Sequence, residues 1–447
     1  MPDHDPTGND PPRTDVIVGM VSEVPEAGEA AAAGRRASEV TFGDGRRARV
    51  DAEDRRASGW LAVLETLRSA GLAAYVELEA GTDWVREVLV PVAVHVGELR
   101  DEGEAIQVEL IVSHARHRLL RADPRYTELR GRLERARDEG TPVLVTERLD
   151  DHVIIDVRPL PEGARPPPSP AEAGPEPERP EAVPPVSMAV ADQMFAMTNG
   201  RTCCSAAPSA PCIPFTYPDD GCWGRAHEMC RLMGLQGVAS DKVWIYGNLK
   251  VSSANKPNCL VQWGWHVAPT LPVTVGGSTV TYVIDPSLFT SPVPQATWKG
   301  VQGDPSATLV PTASSVYHRS YGGSVTYDPT YASTNQVLAT YRAQLQSRST
   351  SLGPPPYAAC QTRPPGTQWL GTLAPNETRR WFTFGWPAPW HVVWTVMPTS
   401  ICPGAPQLRW TTAVERANAT QVTYWITVTN LTSRTIRFEG RYDVLAR

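Results

Sequence analysis

The chain contains 447 residues, more than one domain usually reaches, so its length predicts two or three domains. Hydrophobic residues make up 41% of the chain and can form substantial cores, while a net charge of -6 argues against a nucleic-acid binder that relies on positive charge. No run approaches the ~18 apolar residues of a membrane-spanning helix, and the N-terminus shows no signal-peptide pattern.

Composition changes sharply along the chain. Residues 1–160 hold 31 Asp and Glu, 21 Arg and no cysteine, whereas all eight cysteines lie from Cys203 onward. Between Pro159 and Pro185, eleven prolines are interspersed with Glu and Ala, which predicts an extended linker. We therefore predict a multidomain α+β protein with four segments: a charged α+β domain (1–158), a Pro-rich linker (159–186), a second domain (187–352) and an all-β, sandwich-like domain (353–447).

The charged domain combines helical and strand-like patterns. Helices are predicted over Trp60–Ala70 and Tyr126–Glu139, because each has helical spacing and is followed by a glycine. Strands are predicted where Val, Ile and Leu recur, over Val16–Val21, Tyr75–Glu79, Val85–Val96, Ile106–Val112 and Val143–Val157. Its histidines show no ligand spacing: His4, His95, His114, His117 and His152. We expect an interaction or regulatory domain without a catalytic constellation.

The second domain contains a candidate thiol nucleophile. Cys222 follows Gly221 at the start of a predicted helix, which Asp219 or Asp220 can cap. The helix dipole and the unpaired N–H groups of a first turn favour a thiolate and can also stabilise an oxyanion. The alternatives are a buried structural cysteine and a disulfide partner.

A thiolate enzyme needs a base and a group that orients the base. Gly276-Gly277 predicts a hairpin, and its pairing places Asp285 opposite Ala268. His266 then lies two residues along on the same face, within reach of that carboxylate. This pairing makes Cys222, His266 and Asp285 a candidate catalytic triad.

Other side chains near these positions have competing interpretations. His227 follows Cys222 by just over one helical turn and is a rival base, although no carboxylate is evidently placed to orient it. Trp223 is either a wall of the substrate cleft or a core residue. Strand alternation sends Trp263 and Trp265 to the face opposite His266, so we expect both to belong to the core.

Four segments of the second domain resemble the protein-glutaminase family, whose members deamidate glutamine side chains in intact proteins. They are IPFTYPDDGCWGRAHEM (213–229), IYGNLKVSS (245–253), WGWHVAP (263–269) and VIDPSLF (283–289). The resemblance covers about 150 residues in the same order. It implies a fold similar to the papain and transglutaminase core, with no metal or organic cofactor.

The resemblance also assigns residues. It implies a Cys-His-Asp triad on Cys222, His266 and Asp285, the same three residues that the hairpin pairing selects. It further implies a disulfide that joins Cys212 to either Cys203 or Cys204. Family members typically carry an inhibitory pro-segment.

The C-terminal domain is predicted to be all β. Alternating runs separated by turn residues predict strands at Trp381–Phe384, His391–Val396, Leu408–Val414, Val422–Val428 and Ile436–Val444. Cys360 and Cys402 are its only cysteines, so we predict a disulfide between them.

These observations favour hydrolysis of glutamine side-chain amides in proteins that expose glutamine, with no nucleic-acid partner. The same triad also fits a transglutaminase or a cysteine peptidase, and a secreted binding protein with a degenerate triad is the alternative from another class. The cysteines favour export by a route that uses no signal peptide over a cytoplasmic location. The charged domain either blocks the cleft or is a tethered docking module, and the long linker favours the tether.

Overall fold

The computed structural model describes residues 16–25, 37–167, 183–357, 360, 366–400 and 405–446. Strands dominate, and 21% of the described residues are helical. The chain divides into two compact units, one with residues 1–91 and 161–165 and the other with residues 92–160 and 166–447. Most of the predicted linker lies outside the described residues, and no helix within them is long and apolar enough to cross a membrane.

Within its described residues, the first unit is a five-stranded antiparallel sheet with one helix, in the order β3-β2-β1-β4-β5. Its elements are β1 (Val16–Glu23), β2 (Ala37–Phe42), β3 (Arg47–Asp51), α1 (Ala57–Ala70), β4 (Ala73–Leu78) and β5 (Val85–Leu89). Trp60, Leu64 and Leu67 are fully buried on one face of α1, which ends at Gly71 in the left-handed conformation, as predicted.

The second unit begins with a small α+β segment that forms two three-stranded sheets, β11-β10-β6 and β7-β8-β9. Its elements are β6 (Val92–Val94), β7 (Val96–Glu102), β8 (Ala105–Leu110), β9 (His117–Leu120), α2 (Tyr126–Glu139), β10 (Val143–Glu147) and β11 (Ile154–Pro159). Leu129 and Leu133 of α2 pack into a core shared with both sheets. The predicted helix therefore has the predicted bounds, and Gly140 ends it.

The central part of this unit is a mixed sheet with helices. Its elements are β12 (Val186–Ser187), α3 (Met188–Asn199), α4 (Cys222–Leu235), β13 (Asp241–Ser252), β14 (Leu260–Val275), β15 (Ser278–Val283), β16 (Val293–Pro294), α5 (Gln295–Gly300), β17 (Thr308–Ala313), β18 (Val316–Arg319), β19 (Val325–Tyr327) and α6 (Ala332–Leu352). The main sheet has the order β16-β15-β14-β13-β17, with β12 parallel to β14. Helix α4 is buried along most of its length, between this sheet and α6.

The C-terminal part forms two three-stranded antiparallel sheets, β20-β25-β22 and β21-β24-β23. Its strands are β20 (Thr367–Leu373), β21 (Thr378–Pro387), β22 (His391–Pro398), β23 (Leu408–Arg416), β24 (Gln421–Asn430) and β25 (Ile436–Ala446). Residues of both sheets, among them Trp394 and Ile426, contribute to one core. All five strands predicted here are confirmed, while the papain-like core and the sandwich remain predictions.

The disulfides correct one predicted pairing. Cys203 bonds to Cys212, which decides between the two alternatives, and Cys204 is also disulfide-bonded. The predicted Cys360–Cys402 bond is wrong, because Cys360 bonds to Cys259. After α6 the chain returns to the turn before β14, where the Tyr357 N–H donates to the Ala254 carbonyl at 2.7 Å, and this brings the two cysteines together. Cys402 lies outside the described residues.

Candidate active site

Cys222 is the first residue of α4 and is buried. Gly221 before it has φ +79°, and a Cβ at this position would collide with the Tyr341 ring, so the turn requires glycine. The predicted carboxylate cap is wrong, since no side chain caps this helix and Asp220 instead accepts from the Gly221 N–H at 2.9 Å. The sharp turn presents the thiol at a helix start.

His266 and Asp285 meet as the hairpin pairing predicted. The ladder that starts at the Gly276-Gly277 turn ends with the pair Thr270 and Val283, and the Ile284 N–H then donates to the Pro269 carbonyl at 3.0 Å, just before Asp285. His266 Nε2 lies 2.8 Å from Asp285 Oδ2, which also accepts from Trp298 Nε1 at 2.9 Å. The carboxylate thus fixes the imidazole ring in one orientation.

The imidazole of His266 also lies close to the thiol. One of its ring nitrogens is within 4.8 Å of Cys222 Sγ. Its Nδ1 atom is buried and has no hydrogen-bond partner among the described residues, whereas Nε2 is engaged by Asp285. Nδ1 is therefore the nitrogen available to exchange a proton with Cys222.

Burial controls the charge of these groups. It raises the pKa of the Cys222 thiol well above its ordinary value, against the opposing effects of Arg225 and the Val267 N–H. Burial also raises the pKa of Asp285, but His266 and the hydrogen bonds from His266 and Trp298 outweigh it and leave that pKa below its ordinary value. In this arrangement the thiol is protonated while the carboxylate is charged.

A loop of the 92–160 segment fills the space in front of the thiol. We call residues 111–116, between β8 and β9, the cleft loop. Ala115 forms an antiparallel bridge with Trp263, and the Gly264 N–H donates to the His114 carbonyl at 3.0 Å. The His114 ring stacks on Trp263 at 5.2 Å and on His266 at 5.8 Å. A ring nitrogen of His114 lies within 4.8 Å of both Cys222 Sγ and a nitrogen of His266.

The cleft loop is anchored to the aspartate that precedes the nucleophile turn. Asp220 accepts from the His114 N–H at 3.1 Å and from the Ser113 hydroxyl at 2.6 Å. Burial, then repulsion by His266 and Arg225, lowers the pKa of His114 well below its ordinary value, so this ring enters the cleft neutral. The loop of this segment is thus hydrogen-bonded into the cleft, which favours the blocking alternative over the tethered docking module.

A histidine–carboxylate cluster lies behind the loop. Glu147 contacts the Nδ1 atoms of His117 and His152, and His117 Nε2 lies 2.6 Å from the Ser113 hydroxyl. His152 Nε2 is 3.5 Å from Asp219, the residue before Asp220. The cluster thereby connects the 92–160 segment to the two aspartates that precede the nucleophile turn.

Asp219 and Asp220 are themselves tightly held. Asp219 is buried against Lys256 and Arg348, with an Arg348 Nη1 to Oδ2 distance of 2.7 Å. The attraction of both cations outweighs burial and holds the pKa of Asp219 well below its ordinary value. Tyr341 donates to Asp220 Oδ2 at 2.6 Å. These contacts fix the turn that carries Gly221.

Three predictions for neighbouring side chains have different outcomes. His227 accepts from Lys242 Nζ at 2.8 Å, and burial together with Lys242 lowers its pKa to about 3, so it is not placed as the base. Trp223 is buried and donates to the Tyr317 hydroxyl at 3.0 Å, which makes it a core residue.

Trp263 is buried as expected but stacks on His266 at 4.5 Å. Its predicted side was wrong because the β13–β14 ladder is irregular between Tyr246 and Leu249.

Sequence reasoning missed several residues of the site. His114 and Trp298 lie on segments that no motif connects to Cys222. Asp220 was considered only as a helix cap, and Tyr341 sits in the middle of a helix that carries no functional pattern. Only Asp220 had a sequence signal, through its position beside Gly221 and Cys222.

Comparisons with known proteins agree on one family. A family model described as Glutaminase matches residues 191–302. A crystal structure of pro-protein-glutaminase is similar at 26% identity over 61% of this chain and 99% of that one, with a TM-score of 0.44. A crystal structure of protein-glutaminase is similar at 34% identity over 34% of this chain and 86% of that one, with a TM-score of 0.31.

The solution structure of protein-glutaminase from Chryseobacterium proteolyticum is also similar, at 34% identity. That similarity covers 34% of this chain and 84% of the other, with a TM-score of 0.31. No curated protein matches the chain.

Proposed function

Since the chain belongs to the protein-glutaminase family, we propose that it hydrolyses glutamine side-chain amides in proteins, with release of ammonia and formation of glutamate. The observation that carries this proposal is the convergence of a helix-start thiol with a histidine oriented by a buried carboxylate. Cys222 Sγ and a His266 nitrogen lie within 4.8 Å, and His266 Nε2 is 2.8 Å from Asp285.

The first half of the proposed reaction forms a thioester. His266 takes the thiol proton, and Cys222 Sγ attacks the side-chain carbonyl carbon of glutamine. The N–H groups at the start of α4 receive the negative charge that develops on the carbonyl oxygen. His266 then donates its proton to the departing nitrogen, so that ammonia leaves and the glutamyl thioester remains.

The second half consumes water. His266 takes a proton from a water molecule, which attacks the thioester carbonyl and expels the Cys222 thiolate. The thiolate regains its proton through His266, and glutamate is released. Asp285 stays ionised and keeps the ring of His266 aligned through both steps. Every proton is returned, and the sequence of steps uses only these side chains and water.

In the arrangement described above the enzyme is closed. The His114 side chain occupies the space that a substrate side chain needs to reach Cys222, and the loop backbone already pairs with Trp263 and Gly264. A protein substrate therefore requires the cleft loop to leave. Departure of the loop also readmits water to the thiol, which removes part of the burial that raises its pKa.

The test uses a glutamine-rich protein such as casein, with the chain before and after limited proteolysis N-terminal to residue 187. Ammonia release, incorporation of a primary amine and new peptide ends are measured on the same samples. The proposal expects ammonia without the other two products, and Cys222→Ala as the inactive control. Amine incorporation in place of ammonia supports a transglutaminase, and new peptide ends support a peptidase.

A further inference from the structure

Three donor atoms of metal-ligand type converge in the closed cleft. A nitrogen of His114, a nitrogen of His266 and Cys222 Sγ all lie within 4.8 Å of one another, and all three residues are buried. His114 Nε2 and His266 Nδ1 are both buried without a hydrogen-bond partner among the described residues. Two orphaned nitrogens beside a thiol are costly unless something binds them.

The other nitrogen of each ring is held as it is in metal-binding histidines. His114 Nδ1–H donates to the Trp265 carbonyl at 3.0 Å, so its Nε2 carries the lone pair. His266 Nε2 is held by the Asp285 carboxylate, which leaves the lone pair on Nδ1. A carbonyl or carboxylate behind each ring is the usual support of a zinc-bound imidazole.

These three donors leave the fourth position of a zinc site to a water molecule. Asp220 Oδ1 lies 3.2 Å from His114 Nε2, but it already accepts from the His114 and Gly221 N–H groups and is not part of the three-donor cluster. Zinc takes four ligands at roughly 2.0–2.3 Å in a tetrahedron, and Cys, His and Asp are all common among them. Ligand atoms of such a site are about 3.3–3.6 Å apart, so a contraction of the three donors, which lie within 4.8 Å of one another, would bring them to ligand distances.

We propose that the closed chain binds one zinc ion through Cys222, His266 and His114, with a water molecule as the fourth ligand, and that this ion locks the cleft loop over the catalytic residues. The metal site itself does not depend on the proposed function, because metal binding requires no deamidation. Only the conclusion that the ion blocks catalysis rests on that function. The bound ion engages the thiol and the base together, so it acts as an inhibitor. Opening the enzyme then requires both departure of the loop and loss of the metal.

The first test measures binding to the full chain after treatment with a chelator. Co²⁺, used as a spectroscopic substitute for Zn²⁺, is expected to bind one to one and to give a thiolate-to-cobalt charge-transfer band that Cys222→Ala lacks. His114→Ala should weaken Co²⁺ binding at least tenfold, in line with the cost of disturbing a metal site. His391→Ala, at an exposed position of β22, is the matched control and should bind as the wild type does.

Two results would overturn the inference: a wild-type chain that gives no charge-transfer band at equimolar Co²⁺, and a His114→Ala variant that binds as tightly as the wild type. If His114→Ala does not fold, the wild type alone decides. Zn²⁺ should then slow alkylation of Cys222, followed by mass spectrometry of its peptide, and a chelator should reverse the effect. Unchanged alkylation would count against the site.

These measurements separate the two proposals. A chain that binds the ion through these ligands but releases no ammonia after proteolysis retains the zinc site and loses the proposed function. If the opened enzyme deamidates but the closed chain binds no metal, the proposed function stands and the zinc site is wrong.

Discussion

The imidazole of His114 stacks on that of His266 with 5.8 Å between ring centres and 17° between ring planes. One ring comes from the cleft loop and the other from the candidate triad. The loop ring therefore occupies the space through which a substrate would reach the base. The Cys222 thiol behind the loop is buried, and burial raises its pKa. The loop therefore restrains the site in two ways, by excluding substrate and by disfavouring the thiolate.

Weakening the anchor of the loop should activate the full chain. Ser113→Ala removes the hydroxyl that donates to Asp220 at 2.6 Å and contacts His117 at 2.6 Å. We expect a several-fold rise in ammonia release from a small glutamine peptide, because the loop leaves the cleft more often. Thr141→Ala, at an exposed position of the same segment, is the control. Equal rates for wild type and Ser113→Ala would show that this anchor does not hold the cleft closed.

The triad predicts graded losses of activity in the opened enzyme. Cys222→Ala should lower kcat by at least about 10⁴-fold and His266→Ala by a similar factor, since each removes a reacting group. Asp285→Asn should cost roughly 10²–10³-fold, because it disturbs only the orientation and tautomer of His266. Asp192→Asn, at an exposed position of α3, should leave kcat unchanged. Near-normal turnover by Cys222→Ala would exclude this thiol as the nucleophile.

The turn before the nucleophile predicts a strict need for glycine. Gly221→Ala places a Cβ against Tyr341 in a backbone conformation with φ +79°, so we expect a loss of about 1–3 kcal/mol in the free energy of unfolding and a misplaced thiol. Gly234→Ala, in the same helix with open space around it, should instead stabilise the helix by about 0.5–1 kcal/mol. Thermal unfolding of both variants tests this difference: Gly221→Ala should lower the midpoint and Gly234→Ala should raise it. Equal midpoints would contradict the prediction.

Sequence patterns predicted the local features of this site and missed its long-range ones. The glycine hairpin determines the register between β14 and β15, so the pairing of His266 with Asp285 could be read from residue spacing. The approach of His114 could not, because it depends on how two separately folded sheets pack. The Cys259–Cys360 bond joins positions 101 residues apart, and domain composition gave a wrong partner for the same reason.

The Cys259–Cys360 disulfide is expected to contribute to the free energy of unfolding. Peptide mapping without reduction should find Cys259 joined to Cys360 and Cys222 unbonded. Cys360→Ser should lower the free energy of unfolding by about 2–4 kcal/mol, because the bond closes a long loop in the unfolded chain. Cys230→Ser, at a free cysteine, is the comparison variant. A peptide that contains Cys360 bound to any cysteine other than Cys259 would contradict the arrangement.

The cluster behind the cleft loop predicts a loss of stability at alkaline pH. Burial and Lys256 lower the pKa of His152, but Glu147 and Asp219 raise it further, and the net value is about 9. A folded pKa above the ordinary value of about 6.5 means that the protonated ring stabilises the fold fully below that pH.

This contribution is lost as the pH rises through about 9. The shift corresponds to roughly 3 kcal/mol at about 1.4 kcal/mol per pKa unit. Thermal unfolding midpoints of wild type and His152→Gln, measured at pH 6.5 and again near pH 9.5, separate the contribution of His152 from that of other titrating groups. The wild type should be the more stable chain at the lower pH and should lose that advantage at the higher one. A difference between the two chains that stays constant with pH would show that His152 does not hold its proton through Glu147 and Asp219.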